Sequence, residues 1–306
     1  MTAQPDITLK SWMMVATLGF VWGASFLFIE IALEGITPFW MATWRITLAA
    51  LLTSAVWQAR GGKLYLTKKK SDAVSLLAIS AMSTALPFGL ISWGQVFVTS
   101  GFAGVSMAAV GLMVLPLAHV FIPDERLTPR KVAGFSIGFV GVVILIGPEA
   151  LSSSGAAGEV LGRLACLVGA ACYAVSSVML RRLPPMDPIG LSAVTLIIGA
   201  SVVFGMAIVA EGPPSIPTAK VIGVTVILGL VQTALANLLR IMVVRSAGPT
   251  FMSLTNYQVP IWSVILGILI LGEAATVSLF AAMALILAGV ALSQWGAFKR
   301  LFSRTG

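Results

Sequence analysis

The chain has 306 residues, of which 58% are apolar before its 30 glycines are counted and only 10% are charged, with a net charge of +8. Soluble domains carry about 25% charged residues, so a water-covered globular enzyme is excluded, as are a disordered chain and, with only two cysteines, a disulfide scaffold. The mean hydropathy of +1.01 leaves a protein that is nearly all membrane.

Long uninterrupted apolar stretches, broken at charge, proline and glycine clusters, predict helices and not the short alternating strands of a membrane barrel. They predict ten spans, near 12–33, 38–58, 73–94, 100–122, 131–147, 162–181, 188–209, 220–241, 250–271 and 277–297. The first run is longer than a signal-peptide core and is read as a retained anchor.

Taken in chain order, the polar and aromatic residues inside these spans are the candidate substrate path, because polar groups at membrane depth are costly. The first span offers Trp22, Ser25 and Phe26, with Glu30 and Glu34 toward its outer end. The second opens at Pro38 and carries Arg45 about 10 Å further down. A short turn joins these two spans, so Glu30 and Arg45 are expected within pairing distance, either as a structural ion pair or as a coupling or gating element. The third span contributes Ser83, Thr84, Pro87 and Trp93, and the fourth Ser106, Met107 and Pro116, with His119 at its cytoplasmic end. Gly134, Gly138 and Gly141 put small residues on one stripe of the fifth, for packing within the bundle or for a dimer. The sixth brings Tyr173, Ser176 and Ser177, and the thiols of Cys166 and Cys172 read as small buried groups. The eighth has a face of Gln232, Thr233, Asn237 and Arg240. In the ninth, Ser253, Asn256, Tyr257 and Pro260 fall at i, i+3, i+4 and i+7, one polar stripe ending at a proline. Pro87, Pro116 and Pro260 are expected to kink their helices and to free backbone carbonyls.

Lys and Arg fix the expected orientation. Sixteen of the 19 fall in alternate loops and at the two termini, namely Lys10, the cluster from Arg60 to Lys70, Arg126 to Lys131, Arg181 and Arg182, Arg240 and Arg245, and Lys299 to Arg304. Only Arg163 and Lys220 fall on the other side. By the positive-inside rule both termini are cytoplasmic. The basic charge is thereby topological, and without an aromatic platform it does not read as nucleic-acid binding.

An internal repeat divides the single domain, 1–306, into two five-helix units, 12–148 and 162–297. Glu125 and Glu273 are 148 residues apart, as are Gly141-Val142 and Gly289-Val290. Trp22-Gly-Ala-Ser25 resembles Tyr173-Ala-Val-Ser176 at an offset of 151, and Pro38 and Pro188 are 150 apart. Five is odd, so the second unit is inverted relative to the first, an arrangement that suits a carrier whose halves rock about a central site.

With these residues in hand, the chain resembles the drug/metabolite transporter superfamily, specifically the ten-helix EamA-type exporters. The likeness runs over about residues 12–297. It is carried by Trp22-Gly23 with Ser25 and Phe26, by Pro38 followed by Arg45, and by Ala118-His119 leading to Asp124-Glu125-Arg126-Leu127-Thr128. The glycine run to Gly147-Pro148, Pro260 and Leu271-Gly272-Glu273 complete it. The resemblance implies a bacterial inner-membrane carrier that exports small metabolites such as amino acids, driven by a gradient, with a proton as a candidate coupling ion. Two departures stand out. Pro260 lies 13 residues before Glu273, whereas 13 before Glu125 is Leu112 and the proline is Pro116; and Glu30 stands where relatives often have a basic residue.

No acid cluster occupies the membrane centre, so neutral or zwitterionic solutes fit better than polycations. No phosphate-binding loop, metal-ligand spacing or catalytic set is present, which argues against ATP drive, a cofactor, a metal and an intramembrane enzyme. Broad efflux of lipophilic compounds is the alternative within transport, and lipid handling or a structural role is the alternative outside it. The chain is expected to act as a monomer or a dimer.

Overall fold

A computed structural model describes residues 7–64, 70–122, 127–146, 157–181, 183, 186–247, 249–252, 254–293 and 295–296. Among these the chain is helical throughout. The elements are α1 (Leu9–Leu33), α2 (Pro38–Ala59), α3 (Lys70–Ser80, a π-helical turn Ala81–Ala85, then Leu86–Gly94), α4 (Ser100–Phe121) and α5 (Pro129–Ile146). They continue with α6 (Ala157–Arg181), α7 (Pro188–Glu211), α8 (Ala219–Val226, a π-helical stretch Ile227–Leu235, then Ala236–Ala247), α9 (Thr255–Leu271) and α10 (Val277–Ser293). Seven described helices are long and apolar enough to cross a membrane, whereas α9 and α10 are shorter, at 17 residues each.

The helix starts carry ordinary capping chemistry. Thr8 and Ser11 form a reciprocal capping box on α1. Thr99, Asp187 and Thr218 accept from the backbone N–H of Phe102, Gly190 and Val221 at the heads of α4, α7 and α8. Pro38 and Pro188 open α2 and α7, where a missing N–H costs nothing. Gly212 and Gly272 end α7 and α9 at φ of 73° and 68°, where a side chain would be strained.

The outside of the bundle is apolar. Leu51, Phe139, Phe204 and Leu269 are all exposed, Leu269 by 76%. A water-soluble protein does not present so continuous an apolar surface, whereas hydrocarbon accepts it. The interior is lined by small residues and by hydroxyls that bond their own helix, as Thr43 does to Phe39 O, Ser92 to Phe88 O and Thr225 to Val221 O.

The principal packed pairs are α5 with α10, α2 with α7, α1 with α9, α4 with α9, α4 with α6, and the second half of α3 with α6. The glycine stripe of α5 is used inside this bundle. A Cβ on Gly134 would come within 2.8 Å of Ser293 N, and one on Gly138 would meet the Leu112 side chain of α4. Gly134 thus lets α5 and α10 approach backbone to backbone.

Two features depart from the expected spans. Continuous α-helix was predicted over 73–94 and 220–241, yet each contains a π-helical stretch, which inserts an extra residue that a 3.6-residue period does not register. The ninth span was expected from 250, but only a four-residue helix, Pro249–Met252, precedes a tight turn at Leu254, and α9 begins at Thr255. Leu254 N donates to Phe251 O and Tyr257 N to Leu254 O, closing that turn. Asn256 and Tyr257 consequently occupy the first turn of α9, and not a position two turns in.

Candidate functional site

Helices α1, α4, α6 and α9 meet around one buried cluster that includes Phe26, Phe102, Leu112 and Val259. Trp22, Met107, Tyr173 and Tyr257 pack against it and remain half-buried. These four, one from each helix, bring together residues up to 235 positions apart in sequence. Aromatic rings and a thioether offer area and polarizable contact at little entropic cost. The hydroxyls beside them are committed. Ser25 donates to Val21 O, Ser106 to Phe102 O and Ser176 to Tyr173 O, at 3.3, 2.9 and 3.0 Å. Their role is to satisfy helix carbonyls, which leaves oxygen lone pairs and not free donors facing the cluster.

Arg45 lies beside this cluster. It is only 6% exposed, and its Nε donates to Thr233 Oγ1 in the π-helical stretch of α8 at 2.9 Å. Its guanidinium carbon sits 4.5 Å above the centre of the Phe88 ring, which in turn meets Tyr173 edge-on at 6.4 Å between centroids. Thr233 Oγ1 donates to Leu228 O, five residues earlier, as the widened turn requires, and so presents a lone pair to Arg45.

The expected approach of Glu30 to Arg45 does not occur. Glu30 accepts instead from Gln95 Nε2 at 3.4 Å, and the same amide donates to Phe26 O at 3.0 Å. The physical reason is that α1 packs on α9 and α8 while α2 packs chiefly on α7 and α8, so the two side chains turn to different neighbours. Gln95, 2% exposed, and Phe88 were not singled out from the sequence; an amide one residue past a predicted span end carries no local signal of a partner in α1.

Carboxylates close one end of the bundle. Glu211, at the last residue of α7, accepts from Thr37 Oγ1 and from the backbone N–H of Phe39 and Trp40 at 2.5, 3.0 and 3.1 Å, and Trp40 Nε1 donates to Gly212 O. Glu273, two residues past α9, accepts from the N–H groups of Ser100 and Gly101 at 2.7 and 3.0 Å. Each acid thereby caps the positive start of a helix in the other half of the chain. Gly267 leaves the room, since a Cβ there would lie 2.8 Å from the Glu273 carboxyl carbon. Lys220 and Glu34 form an exposed pair at 2.6 Å at the same end, and Arg163 pairs with Glu159.

The remaining predicted residues are dispersed. Ser83 lies half-buried in the π turn of α3, and Trp93 pairs with Phe97 at 5.0 Å near the end of that helix. Gln232 is buried, and its Oε1 has no hydrogen-bond partner among the described residues. Asn237 Nδ2 donates to Ser192 Oγ of α7, and Asn256 is exposed. Ser253, like Glu125, falls outside the described residues. Pro87 is the second residue after the π turn, whereas Pro116 and Pro260 sit inside unbroken helices. Cys166 and Cys172 are buried free thiols, and His119 is exposed near the end of α4. Among the described residues no group of three or more His, Cys, Asp or Glu could hold a metal ion. A groove of about 480 Å³ between α2 and α7, lined by Thr47, Ser54, Ser201 and Phe204 among others, contains none of the predicted path residues.

Comparison with known proteins accords with this architecture. A family model described as the EamA-like transporter family matches twice, over residues 9–147 and 160–295. A protein of Archaeoglobus fulgidus named "Uncharacterized transporter" is 25% identical over 92% of this chain and 98% of its own length. Transporter YoaV of Bacillus subtilis, which bears the same description, is 21% identical over 95% and 99%. A "Probable terminal-alkyne amino-acid exporter" of Streptantibioticus cattleyicolor is 24% identical over 44% of this chain and 43% of its own. A solved crystal structure matches 94% of this chain and 98% of its own with a TM-score of 0.66 at 23% identity, a likeness of fold.

Proposed function

The chain belongs to the EamA-like transporter family, and from that premise we propose that it is a gradient-driven exporter of small zwitterionic metabolites, amino acids or their relatives, across the bacterial inner membrane. As a family member it is a multi-pass membrane transporter with a small-molecule substrate. The finer reading has ten spans with both termini cytoplasmic, arranged as inverted five-helix halves, 12–148 and 162–297, that alternate access to a central site.

The observation that carries this reading is the convergence of Trp22 and Met107 from the first half with Tyr173 and Tyr257 from the second around one buried cluster. A solute held there touches both halves, so their relative rocking exposes it to one side and then the other. Exchange symmetry in the packing supports the inverted halves. The α1–α9 pair corresponds to α6–α4, and α3–α6 to α8–α1, while α2–α7, α4–α9 and α5–α10 map onto themselves. The two-fold match of the family model supports it further. Amino acids are favoured as cargo by the mixture of aromatic surface and sparse polar groups, and by the printed name of the Streptantibioticus relative.

Purified protein in sealed vesicles preloaded with unlabelled amino acids will exchange them for labelled ones, with Trp22→Ala and Tyr173→Ala each lowering the rate at least about tenfold. Flux of lipophilic cations with no amino-acid exchange would establish the alternative, broad-specificity efflux. Coupling through Glu30 predicts that Glu30→Gln abolishes the response of exchange to an imposed pH gradient; an unaltered response removes Glu30 from the coupling step.

A further inference from the structure

Arg45 carries a permanent charge into the interior. Its position is eight residues into α2, about 10 Å below the helix start. There it is 6% exposed, and among the described residues it makes one hydrogen bond, from Nε to Thr233 Oγ1. No described carboxylate forms an ion pair with it, and no described residue accepts from its two terminal nitrogens. Glu34, the acid nearest in the sequence, pairs with Lys220, and Glu30 is engaged with Gln95.

A buried cation without an anion is costly, and intramembrane charges are ordinarily paired or placed where a ligand pairs them. The guanidinium is also held as a binding group would be. Thr233 fixes Nε, and the Phe88 ring lies with its centre 4.5 Å from the guanidinium carbon. What remains is the outer edge of the fork, two parallel N–H donors whose spacing matches a carboxylate. Phe88 adjoins Tyr173, one of the half-buried rings at the central cluster, so Arg45 belongs to the same region as the aromatic contacts.

We propose that Arg45 is the anion-recognition point of the transport path and that the carboxylate of the cargo supplies its missing counter-charge, through a bidentate contact with the two terminal nitrogens. The inference rests on the carrier reading and narrows it to solutes bearing a free carboxylate. Thr233 and Phe88 are positioning residues for this contact.

Counterflow in sealed vesicles tests it, with labelled phenylalanine and leucine as the transported probes and their free acids, carboxamides and methyl esters as competitors. In the wild type the free acids compete at least roughly tenfold better than the amides and esters. Arg45→Gln erases that gap, and Arg45→Lys, which keeps the charge without the fork, retains part of it. Ligand-induced thermal stabilisation of the same purified proteins reads binding independently of turnover. Phenylalanine raises the midpoint of the wild type and not of Arg45→Gln, while both unfold in a single sharp transition. If Arg45→Gln is too unstable to purify, Arg45→Lys carries the test through its intermediate gap. A gap of wild-type size in either variant overturns the proposal, as does a wild type that treats acid, amide and ester alike; both results leave amino-acid transport standing. A wild type that moves lipophilic cations and no carboxylate-bearing solute overturns this inference together with the carrier reading beneath it.

Discussion

Two helix crossings in this protein are built from corresponding positions and differ in a single charge. In one, Arg45 of α2 meets Thr233 in the π-helical stretch of α8. In the other, Thr84 in the π turn of α3 shares its hydroxyl between Ser80 O at 2.5 Å and Thr195 O of α7 at 3.3 Å. Arg45 and Thr195 are 150 residues apart, the offset that separates Pro38 from Pro188 at the heads of the same helices, and Thr84 and Thr233 are 149 apart. Both crossings set a threonine in a widened turn to satisfy a carbonyl of its own helix. In α8 the hydroxyl donates inward and keeps a lone pair for the guanidinium, whereas in α3 its contacts are with carbonyls, so it meets no donor. A shared backbone plan therefore does not dictate shared chemistry. The two crossings share the geometry, and of the pair only the one at Arg45 holds a charge.

Moving the charge breaks the comparison most severely. Thr195→Arg puts a cation into a crossing that has no supporting ring like Phe88 and in which the Thr84 hydroxyl is already engaged with two carbonyls, and should cost about 3–5 kcal/mol. SDS titration of the purified protein reads this as an earlier unfolding midpoint, and a wild-type midpoint would mean that the two crossings tolerate charge equally. Next in size is Thr233→Val, which strips the acceptor from Arg45 and the donor from Leu228 O. A loss of about 1.5–3 kcal/mol is expected in the same titration, as for a hydrogen bond to a charged group. Phe88→Leu keeps the volume roughly constant and removes the ring beneath the guanidinium, for about 1–2 kcal/mol. Combined with Arg45→Gln it should add little, and full additivity in that double-mutant cycle would show that the ring does not act on the charge. Smallest is Thr84→Val, at about 1 kcal/mol, since only neutral contacts are lost. If it proves as damaging as Thr233→Val, the charge is not what distinguishes the two crossings.

Much of the candidate site was legible before any coordinates. Trp22 and Tyr173 stand out as corresponding aromatics, and Tyr257 as part of a polar stripe, and all three meet at one cluster. The stripe does not turn inward as a unit. Periodicity assumes that the helix is already under way at 250, and the turn at Leu254 delays it, so Asn256 emerges exposed in the first turn of α9. Loop length made Glu30 and Arg45 neighbours, but a short connection fixes only where two helices join and not which faces they turn to each other. Glu211 is a lone acid at a span end with no local signal of its role, because the N–H groups it caps belong to residues more than 170 positions earlier.

By itself the sequence determined that this is a membrane protein of long apolar helices, where most of them begin and end, and which aromatic and polar residues lie within them. Those are properties of hydrophobic length and of turn chemistry, and each is decided within about 20 consecutive residues. Only the tertiary structure decided that Glu211 and Glu273 clasp the heads of α2 and α4, that α3 and α8 widen into π turns, and that Arg45 is buried against Thr233 and Phe88 with no acid paired to it among the described residues. These depend on contacts between helices far apart in the chain. Along such a chain every buried polar group must be satisfied, but nothing local specifies by which partner.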